Sequence, residues 1–143
     1  NRPLLVIGDG PLRKALETAA GPTVRFAGRL EPEELKRGIR EGKALLFPGE
    51  EDFGIVPVEV QAAGRPVIAY RRGGALETVR EGLSGIFFDD QTESSLIEAL
   101  DRFERQVDAF DPAAVSRHAQ SFAPENFAAA FMDLVDTAMR QPR

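Results

Sequence analysis

The chain has 143 residues, 43% hydrophobic and 29% charged, with a net charge of −5, enough for one domain with a core of its own in the ordinary soluble globular class. It has no cysteine and a single histidine, His118, which excludes disulfides, thiolate metal sites and a multi-histidine metal centre. No stripe of basic and aromatic residues suits nucleic acid, no signal peptide is visible, and no apolar run approaches the roughly 20 residues of a membrane span.

The chain opens on Asn1 and runs straight into a strand-like segment, so it is expected to be part of a longer protein. The run LLVIG (4–8) is short, apolar and branched, as a strand requires. In DGPLRKALETAAG (9–21), Leu12, Ala15, Leu16 and Ala19 recur at helical spacing, with Pro11 near the first turn and Gly21 at the end. TVRFAG (23–28) alternates as a half-buried strand. EPEELKRGIREG (31–42) follows as a short helix with Leu35 and Ile39 inward. ALLFP (44–48) is continuously apolar, the pattern of a strand covered on both faces. A helix starting near Val56 and ending at Gly64 leads into the strand PVIAY (66–70). Gly73 and Gly74 then open the helical ALETVREG (75–82), followed by a last strand, GIFFD (85–89).

From Thr92 onward the chain reads as helical: ESSLIEALDRFERQ, then DPAAVSRHAQSF with Asp111 as N-cap and Pro112 at the first helical position. PENFAAAFMDLVDTAMR (124–140) comes last, with Phe127, Phe131, Leu134, Val135 and Ala138 on one stripe, expected to pack into the core or, as the alternative, to brace a further domain of the intact protein and leave apolar surface exposed here. Five strands separated by helices indicate one α/β domain over 1–143. Its sheet is Rossmann-like, open and mostly parallel, with helices on both faces. Ligands of such sheets bind beyond the carboxyl ends of the strands, which singles out the loops after Ile7, Ala27, Phe47 and Ala69.

The first of these loops, Gly8-Asp9-Gly10-Pro11-Leu12-Arg13, has Arg13 where a dinucleotide fingerprint needs its third glycine. The second strand ends in RFAGRL with no acid for a ribose, so a nicotinamide cofactor is not expected and Gly8 and Gly10 read as a tight turn. The loop after Phe47 is richer. Between Ile55 and Ala63 only Glu59 and Gln61 are polar, so the helix should be buried and its carboxylate stranded among apolar neighbours. A buried unpaired carboxylate costs several kcal/mol, so Glu59 is either paired, protonated or placed on a cleft wall to await a polar ligand. A carboxylate can accept two hydrogen bonds from vicinal hydroxyls. Gly54 permits close backbone approach, the free amides of the helix start favour phosphate or sugar oxygens, and Glu51 on the preceding loop could accept from a neighbouring sugar. The bland alternative is that Glu59 complements the helix dipole and Glu51 is merely solvated.

The run EEDFGIVPVEVQAAGRPVIAYRRGGALETV (50–79) resembles the signature of retaining GT-B glycosyltransferases, the glycosyl transferases group 1. Glu51 and Glu59 are separated by seven residues, Phe53-Gly54 follows the first, and Gly64-Arg65-Pro66-Val67-Ile68-Ala69 lies downstream, with Gly73, Gly74 and Glu77 beyond. EGLSGIFFDDQTESSLIEAL (81–100) is similar to the family's next strand and helix, and EDFGIVPVE is most similar to bacterial mannosyltransferase-like members.

The resemblance implies the C-terminal, nucleotide-sugar-binding half of an enzyme that transfers a hexose, with mannose the candidate, to a glycan or lipid acceptor. Glu59 would bind the ribose hydroxyls and Glu51 the donor sugar. Phe53, Gly54, Ile55 and Val56 would line sugar and diphosphate, and Arg29 with Leu30 would lie near the base. Gly73 and Gly74 read as a structural turn. The resemblance implies no metal, no other cofactor, no nucleic-acid partner, and a cytoplasmic enzyme able to work at the inner face of a membrane. The family's arginine–lysine pair for the diphosphate has no counterpart at the right place in chain order. Arg29 and Lys36 follow the LLVIGDG strand, so the pair, and the strand before it, are expected ahead of residue 1, and the chain alone is expected to be inactive. Alternatives are a nucleotide-sugar epimerase of the same fold and a non-enzymatic nucleotide-binding or interaction module. His118 reads as a surface or capping group.

Overall fold

The computed structural model describes residues 2–140. Their contacts divide the chain into two compact units, one running to Glu41 and the other from Gly42 onward. In the first, strands β1 (Leu4–Ile7) and β2 (Val24–Gly28) pair in parallel, Leu4 opposite Val24 and Val6 opposite Phe26, with a register shift that sets Ile7 opposite Gly28. Helices α1 (Arg13–Ala19) and α2 (Pro32–Glu41) follow the two strands. Leu35 and Ile39 of α2 are half-buried, as their spacing predicts. Helix α1 forms where expected, but Leu12 and Leu16 on its apolar face stand in solvent.

The second unit holds the core. Strands β3 (Leu45–Phe47), β4 (Val67–Tyr70) and β5 (Gly85–Phe88) form a parallel sheet in that order. Their side chains alternate across the pleat. Val67, Ala69, Phe47 and Phe87 meet Ala75 and Val79 on one face. Ile68, Tyr70, Ile86 and Phe88 meet Ala99, Phe103 and Phe110 on the other. Every residue of β4 and β5 is buried, which is why both read as unbroken apolar runs. Each large side chain so buried stabilises the fold by about 1.5–3 kcal/mol.

Four helices follow the strands of this unit: α3 (Ile55–Ala62), α4 (Ala75–Thr78), α5 (Glu93–Gln106) and α6 (Pro112–Ala119). Helix α5 starts at Thr92, whose hydroxyl accepts from the Ser95 amide, and buries Ala99 and Phe103 one turn apart. Helix α6 starts as predicted, with the Asp111 carboxylate accepting from the Ala113 and Ala114 amides ahead of Pro112. It packs on α3, where the Ser116 hydroxyl donates to the Ala62 carbonyl.

The strands are parallel and flanked by helices, as expected, with β1 and β2 laddered within the first unit and β3–β4–β5 within the second. One expectation changes. The last helix, α7 (Pro124–Arg140), buries no residue. Phe127 and Phe131 are 70% and 53% exposed and stack on each other at 5.9 Å instead of entering the core. Its main contact is with the 3-10 turn Gln120–Phe122 just before it, so the stripe has helical periodicity without a surface to meet. Among the described residues, no helix is long and apolar enough to cross a membrane.

Candidate functional site

The loop leaving the carboxyl end of β3 carries Glu51 and Phe53 and ends on Gly54, the N-cap of α3, at φ +80°. Only glycine holds that conformation without strain, and a side chain there would also press on Phe47 and Pro57, each 3.4 Å from the position of a Cβ. Helix α3 then starts without any side-chain cap, leaving the amides of Ile55 and Val56 unclaimed by a side chain. Pro57 in the first turn costs no hydrogen bond, because its missing N–H would have been an orphan.

The premise of a wholly buried helix is overturned. Pro57, Val60 and Gln61 face inward, whereas Ile55 is 65% exposed, Val56 48%, and Glu59 stands in solvent with them. Glu59 therefore has no desolvation cost demanding a ligand. Two other facts bear on it. It is the fifth residue of α3, beyond the first turn in which an acid complements the helix dipole, and that turn holds no acid at all. It also lies three and four residues beyond Val56 and Ile55, so it is flanked by exposed aliphatic side chains on one helix face. Ile55 and Val56 thus form an exposed apolar ledge beside a carboxylate, and Phe53 on the preceding loop is 43% exposed as well. Among the described residues, neither Glu51 nor Glu59 has a hydrogen-bonded or ionic partner for its carboxylate.

The loop is held from several sides. The Gly74 amide donates to the Glu51 carbonyl at 2.7 Å, and the side chain of Gln91 donates to the Pro48 carbonyl at 2.8 Å. Gly73, at φ +58°, and Gly74 lie so close to the backbone of Glu51 and Phe53 that neither position has room for a Cβ. They form the structural turn their sequence suggests, and its role is to seat the Glu51 loop. Beneath it, buried Gln61 donates to the carbonyls of Pro57 (3.1 Å) and Thr78 (3.0 Å), and the Thr78 hydroxyl donates to the Gly74 carbonyl (3.0 Å). Sequence reasoning missed Gln61. A fully buried amide in an apolar run was the available signal, since buried polar residues are the informative ones.

Arg71, just past β4, is committed elsewhere. Its guanidinium lies over the Phe87 ring at 4.6 Å and binds Asp89 at 2.6 Å and Glu81 at 2.9 Å. Burial lowers its pKa, but the hydrogen bonds it donates to Glu81 and Asp89 more than offset this and hold it above the ordinary arginine value. It ties β4 to β5 as a permanent cation. Arg29, exposed, and Leu30, half-buried, follow β2 in the first unit. A depression of about 360 Å³ lies apart from the Glu51 loop, along α5, lined by Asp89, Glu98, Asp101, Arg102 and Arg105. It is open and carries mixed charge, and nothing in it has the exposed apolar ledge found beside Glu59. His118 is not a free surface group: its Nε2 lies 3.2 Å from the Thr78 carbonyl.

Comparison with known proteins places this arrangement. Residues 1–105 match the family of glycosyl transferases group 1. The D-inositol 3-phosphate glycosyltransferase of Streptomyces griseus is 31% identical over 138 residues, covering 94% of this chain and 29% of that protein. The chain thus spans under a third of the length of the curated relatives it matches. Sucrose-phosphate synthase from Thermosynechococcus elongatus superposes with a TM-score of 0.79 at 24% identity, over 95% of this chain and 38% of the other. Anabaena Alr3699/HepE, solved with UDP and glucose, gives 0.69 at 19% identity, over 97% and 40%. At such identities the two structures speak for the fold, a Rossmann-like half of the GT-B type. The chain belongs to the glycosyl transferases group 1 family.

Proposed function

We propose that this chain is the donor-binding half of a retaining glycosyltransferase that moves a hexose from a nucleotide diphosphate sugar to a glycan or lipid acceptor. The observation that carries the reading is a pair of carboxylates without partners among the described residues, Glu51 and Glu59, bracketing the uncapped start of α3 at the carboxyl end of a parallel sheet. Glu59 accepts from the ribose 2′ and 3′ hydroxyls, and its aliphatic neighbours supply an apolar floor. The Ile55 and Val56 amides face the diphosphate, where a helix N-terminus favours negative charge. Glu51 accepts from the donor sugar, with Phe53 and Gly54 beside it.

In the transfer, the bond from the anomeric carbon to the diphosphate oxygen breaks. A bond to the acceptor oxygen forms on the same face, and the proton of the acceptor hydroxyl leaves on the departing diphosphate oxygen. Stabilising the departing anion is the main demand, and two amides answer part of it. The remainder falls to cations outside this chain, so the chain alone is inactive and binds donor weakly. No metal takes part. Mannose rests on the likeness of EDFGIVPVE to mannosyltransferases, and a uridine donor has the support of the HepE complex. The work is done in the cytoplasm, with the acceptor reached at the inner face of a membrane.

The test is a calorimetric titration of UDP, GDP and ADP into the protein carrying this domain. At least one binds the wild type, and Glu59→Ala weakens it about thirtyfold, the worth of hydrogen bonds to a charged group. Unchanged affinity in Glu59→Ala contradicts the assignment.

A further inference from the structure

His118 sits in the last turn of α6, half-buried, with its Nε2 beside the Thr78 carbonyl. A carbonyl only accepts, so Nε2 carries the hydrogen in this contact. The same carbonyl accepts from Gln61, so His118 is not needed to satisfy it. The ring does something else. Its edge meets Phe122 at 5.6 Å and 86°, and Phe122 in turn meets Phe53 at 6.0 Å and 71°. Both are edge-to-face arrangements, the favourable geometry for aromatic pairs. The row runs from the end of α6 to the loop bearing Glu51 and stops at a ring that is 43% exposed. The core gains little from such a row. Its consequence is to restrict the rotamer of Phe53, whose backbone lies against Gly74, between Glu51 and Gly54.

We propose that His118 and Phe122 are positioning residues for the donor loop, acting through Phe53 to set where Glu51 stands. The inference rests on the donor-site reading above and goes beyond it by giving that loop a support on α6. It also separates two parts of the ligand. Glu59 is fixed by α3, which Gln61 and Val60 anchor from below, whereas Glu51 depends on the loop. Loosening the row weakens the grip on the sugar and leaves the nucleotide untouched.

The experiment uses His118→Ala, His118→Gln, Phe122→Leu and Phe122→Tyr in the protein carrying this domain. Hydrogen exchange is read at amides 50–54 and, as a control, across β4 and β5. Affinities are measured for UDP against UDP-glucose and GDP against GDP-mannose. His118→Ala, His118→Gln and Phe122→Leu speed exchange at 50–54 with the strands still protected. They weaken the sugar nucleotide about tenfold, on the scale of one aromatic contact, while the plain diphosphate binds as before. Phe122→Tyr, which keeps the ring, stays close to wild type. Unchanged exchange at 50–54 overturns the proposal, as does recovery by His118→Gln, which restores the hydrogen bond without the ring. Lost protection throughout β4 and β5 overturns it too, since the role is then only structural. If the loop loosens as expected but Glu59→Ala leaves diphosphate binding intact, or no probe binds the wild type, the donor-site reading is what has failed, and the proposal falls with it.

Discussion

A carboxylate standing in water beside Ile55 and Val56 is hydrated, and a ligand that covers it must replace the lost water with hydrogen bonds of its own. Hydroxyls in pairs do this well, and apolar ring faces lie comfortably on the flanking side chains. Glu51 is placed differently, on a loop, where the Gly74 amide ties its carbonyl at one point and its carboxylate is free to accept. Glu51→Gln keeps the shape, loses the charge and leaves one acceptor. It is expected to lower kcat/KM with the donor at least tenfold while the affinity for the plain diphosphate stays within about twofold, as suits a group that meets only the sugar. The positions of both glutamates, one on the loop and one on the helix, were legible in the sequence. Their surroundings were not: aliphatic residues around Glu59 look alike whether they face a core or a ligand, and only the fold shows that Ile55 and Val56 turn outward.

Among the elements, the strands were the most legible. In β4 and β5 every residue is buried, so the apolar run has one reading, and the alternating contacts of Ile68 and Val67 follow from the pleat. Helix α6 was equally plain, because Asp111 and Pro112 mark its start with specific chemistry. Helices α1 and α7 show the limit. Their stripes are real, but a stripe says which face is apolar and not what covers it, and Phe127 stays in water.

The joint between α3 and α6 gives a sharper test. Gly64 holds φ +76°, and a Cβ there would come within 2.9 Å of the Pro112 carbonyl oxygen. Gly64→Ala must strain the backbone and push α6 from α3. It is expected to destabilise the protein by about 2 kcal/mol in denaturant titration, where a glycine of ordinary backbone shape would gain slightly from the same change.

At the scale of the whole molecule, the chain folds as two compact units and covers under a third of its relatives' length. The parallel α/β character was legible, since alternating strands and helices permit little else. Which strands pair was not, because strand neighbours are set by hydrogen bonds between distant segments. If the remaining cations and the acceptor side lie outside this chain, residues 1–143 on their own should show no transfer from UDP-glucose or GDP-mannose. The protein carrying the domain should transfer at a rate that EDTA leaves unchanged. Turnover by the isolated chain, or loss of activity on chelation, would refute that division of labour.

The central claim is that Glu59 grips a ribose diol, and a four-way calorimetric cycle addresses it most directly. Wild type and Glu59→Ala are each titrated with the best-binding nucleoside diphosphate and with its 2′,3′-dideoxy counterpart. The wild type should lose about thirtyfold when the diol is removed, and Glu59→Ala, already weakened, should lose almost nothing more. An equal loss in both proteins would show that the diol is held by other groups, and the assignment of Glu59 would be wrong.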